Sequence, residues 1–197
     1  MKWISKINRG AILTGIIIFG VIVYLIVVFI VQSISIPGIS DICTDYIAFD
    51  VKYSMLPEAN RVEQPDMTED EVGQYIEMMS NELKSFYPAG DQYSKYALNA
   101  KSASLQRQAA GIDVILEYTK EIISFRTFAF KDDTVTVTIL TETYIDKAGT
   151  DPKDMSGSGK METEDHIILM KSEGQWKVIH AEIMTPDVFY EDFPYYK

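Results

Sequence analysis

Histidine and cysteine, two residue types that often carry acid–base, nucleophilic or metal chemistry, are scarce in this 197-residue chain. His166 and His180 are its two histidines, and no cysteine or His-Glu-x-x-His spacing accompanies them, so the sequence does not predict a zinc site. Each histidine is expected to face solvent on a strand or to be hydrogen-bonded in the core. We therefore predict no metal site and no cofactor.

Two further motifs lack the context that their chemistry needs. Gly157-Ser158-Gly159 lies in a stretch rich in Gly, Asp and Ser, not on the strand-to-helix elbow that exposes a nucleophilic serine. Asp146, Asp151 and Asp154 lack the regular ligand spacing and the late glutamate of a calcium loop. A solvated acidic loop is the expected structure there.

Carboxylates and tyrosines, the residue types that an isomerase of this kind would use, are scattered along the sequence. Such chemistry uses a carboxylate base and Tyr or protonated Asp donors inside an apolar cavity. The chain has 12 tyrosines, and Asp113 or Asp45 could serve as the base, but no spacing singles out a pair. We therefore predict that the protein is not an enzyme, and we assign no catalytic residue.

The charge distribution divides the chain into two parts. Residues 1–40 contain Lys2, Lys6 and Arg9 and no acid, giving +3, whereas residues 41–197 contain 15 bases and all 29 acids, giving −14, for a total of −11. Because the larger part would repel phosphates, the sequence argues against nucleic acid as a partner.

The uncharged run from Gly10 to Ser40 contains the apolar sequence IIIFGVIVYLIVVFIV at positions 16–31. A bilayer core needs about 20 apolar residues, so residues 11–34 are predicted to be a transmembrane helix. The basic residues in segment 1–10 predict a cytoplasmic N-terminus and an extracytoplasmic C-terminal part, on a single-pass protein of the cell membrane. A cleaved signal peptide is the alternative, with Ser33-Ile34-Ser35 as its cleavage site, although its apolar core would normally be shorter.

Cys43 is the single cysteine, so an intramolecular disulfide is impossible. An exported domain without a disulfide must rely on its hydrophobic core. A buried or unreactive thiol is expected, and an intermolecular bridge is the alternative.

Helical patterns come first in the exported part. Pro37-Gly38 is predicted to end the membrane helix, and residues 35–66 to form a linker with a short helix within 41–56. The clearest helix is predicted from Thr68 to Tyr87, because Thr68 and Glu71 form a capping-box pattern. Its apolar face contains Val72, Tyr75, Ile76, Met79, Leu83, Phe86 and Tyr87. Residues 91–110 suggest another short helix.

Strand patterns follow Gly111. Alternation is clearest at positions 134–145, and a hairpin is predicted from Met161 to Met184 with its turn at Glu173-Gly174. Helices followed by four to six strands predict an α+β domain, with helices packed on one face of an antiparallel sheet. We predict this domain at residues 67–185 and an aromatic, acidic tail at 186–197.

The last predicted hairpin contains the sequence EGQWKVIH at positions 173–180, which resembles the closing hairpin of the NTF2-like superfamily, including the SnoaL-like and ketosteroid-isomerase-like proteins. The motif covers residues 173–182, and the order of elements is similar over about residues 67–184. The resemblance implies a bent antiparallel sheet around helices, forming a cone with a pocket. It places Trp176 over the core and His180 near the cone, as candidate pocket residues.

The whole layout is similar to that of the membrane-anchored VirB8-like and TcpC-like components of bacterial conjugation machines. Two functions remain open. The first is a membrane-anchored extracytoplasmic binding or assembly domain of a secretion, conjugation or cell-surface complex, with a protein partner or a second copy. The alternative is a small-molecule-binding protein or isomerase-like enzyme that uses the cone pocket. For the first function, the candidate interface is the sheet face and the aromatic tail residues Phe189, Tyr190, Phe193, Tyr195 and Tyr196.

Overall fold

The computed structural model describes residues 9–148 and 159–184. The chain divides into two units, Met1–Gly38 and Ile39–Lys197. The elements of the described residues are α1 (Arg9–Tyr53), a 3-10 turn (Glu58–Asn60), α2 (Glu69–Phe86), α3 (Gln92–Ala109), β1 (Ile115–Lys131), β2 (Thr134–Lys147), β3 (Gly159–Ser172) and β4 (Gln175–Glu182).

The first unit contains the apolar part of α1. Its large apolar side chains, such as Phe19 and Phe29, are exposed. Within the described residues, this is the one helix long and apolar enough to cross a membrane. A signal sequence near an N-terminus shares these properties. The predicted apolar helix is therefore present.

The predicted end of this helix at Pro37-Gly38 is wrong, because α1 continues through Pro37 to Tyr53. A proline inside a helix removes one backbone hydrogen bond, and packing of the following turns can offset that cost. Residues 39–53 were predicted as linker with a short helix within 41–56; they are helical, and they supply buried side chains to the second unit, including Ile39 and Tyr46. The compact unit therefore starts at Ile39 and not at residue 67.

The predicted helix at Thr68–Tyr87 is confirmed as α2, and its capping box is present. The backbone N–H of Glu71 donates to Thr68 Oγ1 at 3.3 Å, and the backbone N–H of Thr68 donates to Glu71 Oε2 at 2.8 Å. These bonds satisfy donors that the start of a helix otherwise leaves unpaired. The Thr68 N–H and the Thr68 hydroxyl both donate to Glu71 Oε2, and these two bonds lower the pKa of the Glu71 carboxyl.

Thr68→Ala is expected to lower the free energy of unfolding by about 1 kcal/mol, because it removes the side-chain acceptor at the N-cap. Thr44→Ala is the matched control, since the exposed Thr44 hydroxyl donates only to the Ser40 carbonyl of its own helix. Urea unfolding of both variants measures the difference. Equal effects would contradict a capping role for Thr68.

α3 fills almost all of residues 91–110, where the sequence suggested a short helix. The Asp91 carboxylate caps its first turn by accepting from the Ser94 N–H at 3.0 Å. Ala, Leu, Gln, Lys and Arg fill much of the helix, and these residues favour helix intrinsically. Gly111, with φ of 75°, follows its end. Local propensity thus extends a helix whose apolar pattern is weak.

Four antiparallel strands form one sheet in the order β1-β2-β3-β4, which confirms the α+β prediction. The β1–β2 and β3–β4 turns contain Asp132 and Glu173 with positive φ, and Gly174 follows Glu173 with φ of 82°. β1 has register shifts against β2 near Ile122 and Phe125. Irregularities of this kind bend a strand and increase its twist.

The main core lies between the helices and one sheet face. Met79 and Leu83 of α2 share one buried cluster with sheet residues such as Val137, which agrees with the predicted packing of helices on one face of the sheet. The aromatic residues of α1 join them, with the Tyr46 and Phe86 rings edge to face at 5.3 Å. Other buried members are Phe49, Leu105, Val135, Ile139, Ile167, Leu169 and Val178.

Candidate functional site

The core-facing side of the sheet changes from apolar to polar along β2. Val135, Val137 and Ile139 are followed on the same face by Thr141 and Thr143, and all five side chains are buried. The neighbouring strands bring further polar groups to this region, since Lys120 pairs with Thr143 and Thr163 pairs with Thr141. Buried polar groups require hydrogen-bond partners, and here they provide them for one another.

Lys120 and Asp165 form an ion pair whose side chains are both 0% exposed. Lys120 Nζ lies 2.7 Å from Asp165 Oδ1 and 2.8 Å from Oδ2. The Thr141 hydroxyl donates to Oδ2 at 2.6 Å, and the Met184 N–H donates to Oδ1 at 2.9 Å. Lys120 also donates to the Met184 carbonyl at 2.9 Å. Each carboxylate oxygen therefore accepts two hydrogen bonds.

A second buried ion pair joins α1 to α3. Lys101 Nζ lies 2.8 Å from Asp50 Oδ1 and donates to Ser54 Oγ at 2.9 Å. The Tyr118 hydroxyl lies 3.2 Å from Asp50 Oδ2 and 3.3 Å from the Met184 carbonyl, which Lys120 also contacts. The two ion pairs thus belong to one set, called here the buried polar network: Asp50, Ser54, Lys101, Gln108, Tyr118, Lys120, Thr141, Thr143, Thr163 and Asp165.

Gln108 extends this network to the backbone on both sides of α3. Its amide nitrogen donates to the Ser54 carbonyl at 2.9 Å, and its amide oxygen accepts from the Ile115 N–H at 3.2 Å. These bonds connect the ends of α1 and α3 to the start of β1. The network therefore fixes helices and sheet to each other within the second unit.

Burial lowers the pKa of Lys120, and the nearby Asp165 and Asp50 carboxylates oppose that shift only in part. Desolvation disfavours the charged form of an amine, which explains the direction. Two lysines and two aspartates balance in charge across the network, as a buried ionic cluster requires. Because the Lys120 and Asp165 side chains are sealed from solvent, substrate access to that pair would require the fold to open.

The two predicted pocket residues lie on β4, apart from the buried polar network. Trp176 is half-buried, and its ring meets Phe130 of β1 edge to face at 6.4 Å. The His180 ring contacts Tyr93 of α3 at 5.1 Å, and its Nε2 lies 3.2 Å from Glu182 Oε1. Trp176 thus covers the core edge, while His180 lies at a partly exposed contact between strand and helix.

The other residues considered for chemistry are dispersed. His166 Nδ1 lies 3.3 Å from the Thr138 hydroxyl, Asp113 forms an exposed ion pair with Arg107, and Asp45 is exposed on α1. No group of three or more His, Cys, Asp or Glu side chains in positions 9–148 and 159–184 could hold a metal ion.

Several predicted residues lie outside the described positions. These are Asp151, Asp154, Gly157 and Ser158, together with the candidate interface residues of the tail, Phe189, Tyr190, Phe193, Tyr195 and Tyr196. Their predicted roles stay predictions.

An open groove of about 340 Å³ lies between α1 and α2. Lys52 and Glu82 form an ion pair beside it at 2.7 Å, and Glu82 also accepts from the Tyr53 hydroxyl at 2.8 Å. The groove residues are Asp45, Ala48, Phe49, Lys52, Glu82, Ser85 and Phe86.

The face of the sheet opposite the core contains a row of three glutamates. Glu121 pairs with Glu142, and Glu142 pairs with Glu162, so like charges lie directly opposite one another on β1, β2 and β3. Such pairs are destabilising. Lys160 offsets part of the repulsion, with its Nζ 2.6 Å from Glu142.

The predicted unreactive Cys43 is confirmed as a buried thiol on α1. Burial raises the pKa of its thiol from 9.0 to about 12. The thiolate is the reactive form of cysteine, so this environment suppresses oxidation and disulfide exchange.

Stability is expected to fall between about pH 10 and pH 12, because Tyr46 and Tyr87 are both buried, with their hydroxyls 2.7 Å apart, and would have to ionise in the core. Burial raises the pKa of Tyr87 from 10.0 to about 12 and that of Tyr46 well above 10. A raised folded-state pKa gives stability that is present below the unfolded value and is lost as the pH rises through the folded value. Tyr87 alone would account for a loss of about 2 to 3 kcal/mol.

Urea unfolding at several pH values checks this dependence, with Tyr46→Phe/Tyr87→Phe as the comparison. The double variant should show a shallower alkaline loss. Burial lowers the pKa of Lys120, so this group makes the protein more stable as the pH rises towards its unfolded value of 10.5. Its effect is therefore opposite to that of the tyrosines. An unchanged alkaline slope in the double variant would show that the tyrosines do not cause it.

The central residues of the buried polar network, Lys120 and Asp165, were not predicted from the sequence. Lys120 occupies an inward position between Tyr118 and Ile122, and Asp165 does so between Thr163 and Ile167. A charged residue at the inward position of an alternating strand was the available signal. It does not identify the partner, because the two residues lie on β1 and β3 with β2 between them.

Comparison with protein families, characterised proteins and solved structures gives no match. The resemblance to the NTF2-like superfamily therefore stays a prediction. What the structure defines is an α+β domain with a four-stranded antiparallel sheet, preceded by a long apolar helix.

Proposed function

We propose that this protein is a single-pass membrane protein whose extracytoplasmic part is an NTF2-like binding or assembly domain. The proposal rests on how burial changes along α1. Its N-terminal part is apolar and exposed, as a membrane span is, and its last turns are buried in the domain core. The apolar segment and the domain share one helix with no linker in the sequence between them.

The continuity of α1 supports an anchor over a cleaved signal peptide. Cleavage at Ser33-Ile34-Ser35 would cut inside α1, only a few residues before the buried Ile39. The basic residues Lys2, Lys6 and Arg9 support a cytoplasmic N-terminus, and the −14 charge of residues 41–197 imposes no contrary orientation.

A binding role is supported by the glutamate row on the outer sheet face. Glu121, Glu142 and Glu162 lie directly opposite one another, and their repulsion destabilises the isolated sheet. A partner with basic groups on this face would relieve that repulsion. Anchoring in a membrane also raises the effective concentration of partners that are anchored beside it. The expected partner is a protein of the same membrane or a second copy of this chain.

A second function, small-molecule binding or isomerase-like chemistry, is favoured by one contact. Tyr118 and Asp50, the residue types that such chemistry uses, are hydrogen-bonded in the interior. Lys101 already pairs with Asp50 there, so a catalytic role would require this carboxylate to lose its partner.

A reporter enzyme that is active only outside the cytoplasm, fused after Lys197, should be active in cells. The same reporter inserted after Arg9 should be inactive, since that position precedes the span. The positive charge before the helix is the physical cause. Activity at Arg9 with none at Lys197 would show that the orientation is the reverse of the proposed one. A protein cleaved near Ser35 would show that the apolar segment is a signal peptide and not an anchor.

Partner contact is tested by placing a photo-crosslinking amino acid at Glu121 in native membranes, with exposed Met78 of α2 as the matched control position. A crosslinked product at Glu121 that is weak at Met78 supports the sheet face as the interface. Repeating the experiment without residues 186–197 tests the predicted tail contribution. A chain that remains uncrosslinked at both positions would favour the second function.

A further inference from the structure

Lys120 and Asp165 hold an amine and a carboxyl group close enough together to condense. The amine nitrogen is within 2.8 Å of both carboxylate oxygens, and both side chains are completely buried. Because both oxygens are bonded to Cγ, the nitrogen lies within about 3.5 Å of that carbon, and rotation of the carboxyl group would turn one of its faces towards the nitrogen for bond formation.

The surroundings favour the uncharged forms that condensation requires. An apolar interior disfavours isolated charges, and transfer of one proton from the ammonium to the carboxylate leaves a neutral amine beside a neutral acid. Burial lowers the pKa of Lys120, which acts in this direction. The core also excludes bulk water, whose high concentration otherwise favours the separate amine and acid over the amide.

The carboxyl group is held by different donors at its two oxygens. The Met184 backbone N–H donates to Oδ1 at 2.9 Å, where it can stabilise the charge that develops on a carbonyl oxygen under attack. The Thr141 hydroxyl contacts Oδ2 at 2.6 Å, and Thr163 lies 2.9 Å from Thr141. These hydroxyls offer partners to an oxygen that leaves as water.

We propose that Lys120 and Asp165 become joined by an intramolecular isopeptide bond after the domain has folded. Lys120 Nζ attacks Asp165 Cγ; the Nζ–Cγ bond forms and the Cγ–Oδ2 bond breaks. Two of the three ammonium protons leave with Oδ2 as one water molecule, and the third remains on the amide nitrogen. No atom changes its oxidation level, so neither a redox partner nor a cofactor enters the balance.

The bond would connect β1 to β3 across β2, which lies between them in the sheet. It would close a covalent loop from residue 120 to residue 165 in a chain whose single cysteine rules out an internal disulfide. A cross-link of this span stabilises a fold mainly by restricting the unfolded chain. This inference concerns the core and stands independently of the proposed function.

Mass spectrometry of the purified full-length chain tests the proposal. After denaturation, the intact mass should be lower than the sequence mass by one water molecule, and digestion should release one peptide pair joined through Lys120 and Asp165. Lys120→Arg should retain the full mass, because a guanidinium remains charged and does not attack. Lys160→Arg, in the exposed pair with Glu142, is the matched control and should show the same loss of water as the wild type.

The decisive measurement uses the wild-type protein, so a variant that fails to fold leaves the test intact. A full sequence mass after prolonged incubation of folded protein overturns the proposal. A loss of water that maps to a cyclised aspartate, or to any other residue pair, overturns it as well.

Discussion

Lys120→Met is expected to lower the free energy of unfolding by about 3 to 5 kcal/mol, because it leaves the Asp165 carboxylate buried without its cation. Both side chains are fully buried, so water cannot replace the lost partner. Urea unfolding of the full chain, followed by tryptophan fluorescence, gives the difference. If the wild type contains the isopeptide bond, the loss also includes the contribution of that cross-link.

Two further variants separate the cost of an unpaired charge from the general cost of substitution. Lys120→Met/Asp165→Leu removes both charges and should recover much of the loss, since an apolar pair replaces a buried ion pair at small cost. Lys160→Met removes the cation of the exposed Lys160–Glu142 pair and should cost at most about 1 kcal/mol. Equal losses for Lys120→Met and Lys160→Met would show that burial of the Lys120 pair has no energetic weight.

Leu83→Ala is expected to cost about 2 to 5 kcal/mol, because Leu83 on α2 is 2% exposed within the core cluster that includes the sheet face. The substitution loses apolar burial and leaves a cavity that the surrounding side chains fill only in part. Met78→Ala is the matched control on the same helix, since Met78 is 58% exposed. It should change stability by no more than about 0.5 kcal/mol.

Chemical unfolding of both variants under one set of conditions provides the comparison. A small loss for Leu83→Ala together with a large loss for Met78→Ala would mean that α2 packs through its other face. A small loss for both would mean that α2 contributes little to the cooperative unit.

Local patterns in the sequence were sufficient for several elements. The Thr68–Glu71 capping box determined where α2 begins, because both partners lie within one turn of helix. The alternation at Val135, Val137 and Ile139 identified the inward face of β2, because side chains on a strand alternate between its two faces. The apolar run of α1 was equally clear, since its length and its lack of charge are properties of a single segment.

Tertiary packing decided the features that depend on residues far apart in the chain. Pro37 is a local signal for the end of a helix, yet α1 continues because its next turns bury Ile39 and Tyr46 in the core. Lys120 and Asp165 show no mutual signal in sequence, and they pair only because β1 and β3 both flank β2. The sequence by itself thus determined the long apolar helix, the helix cap and the strand faces. The partners of the buried charges were decided by the tertiary structure. An unpaired charge becomes costly only when the folded core removes it from water.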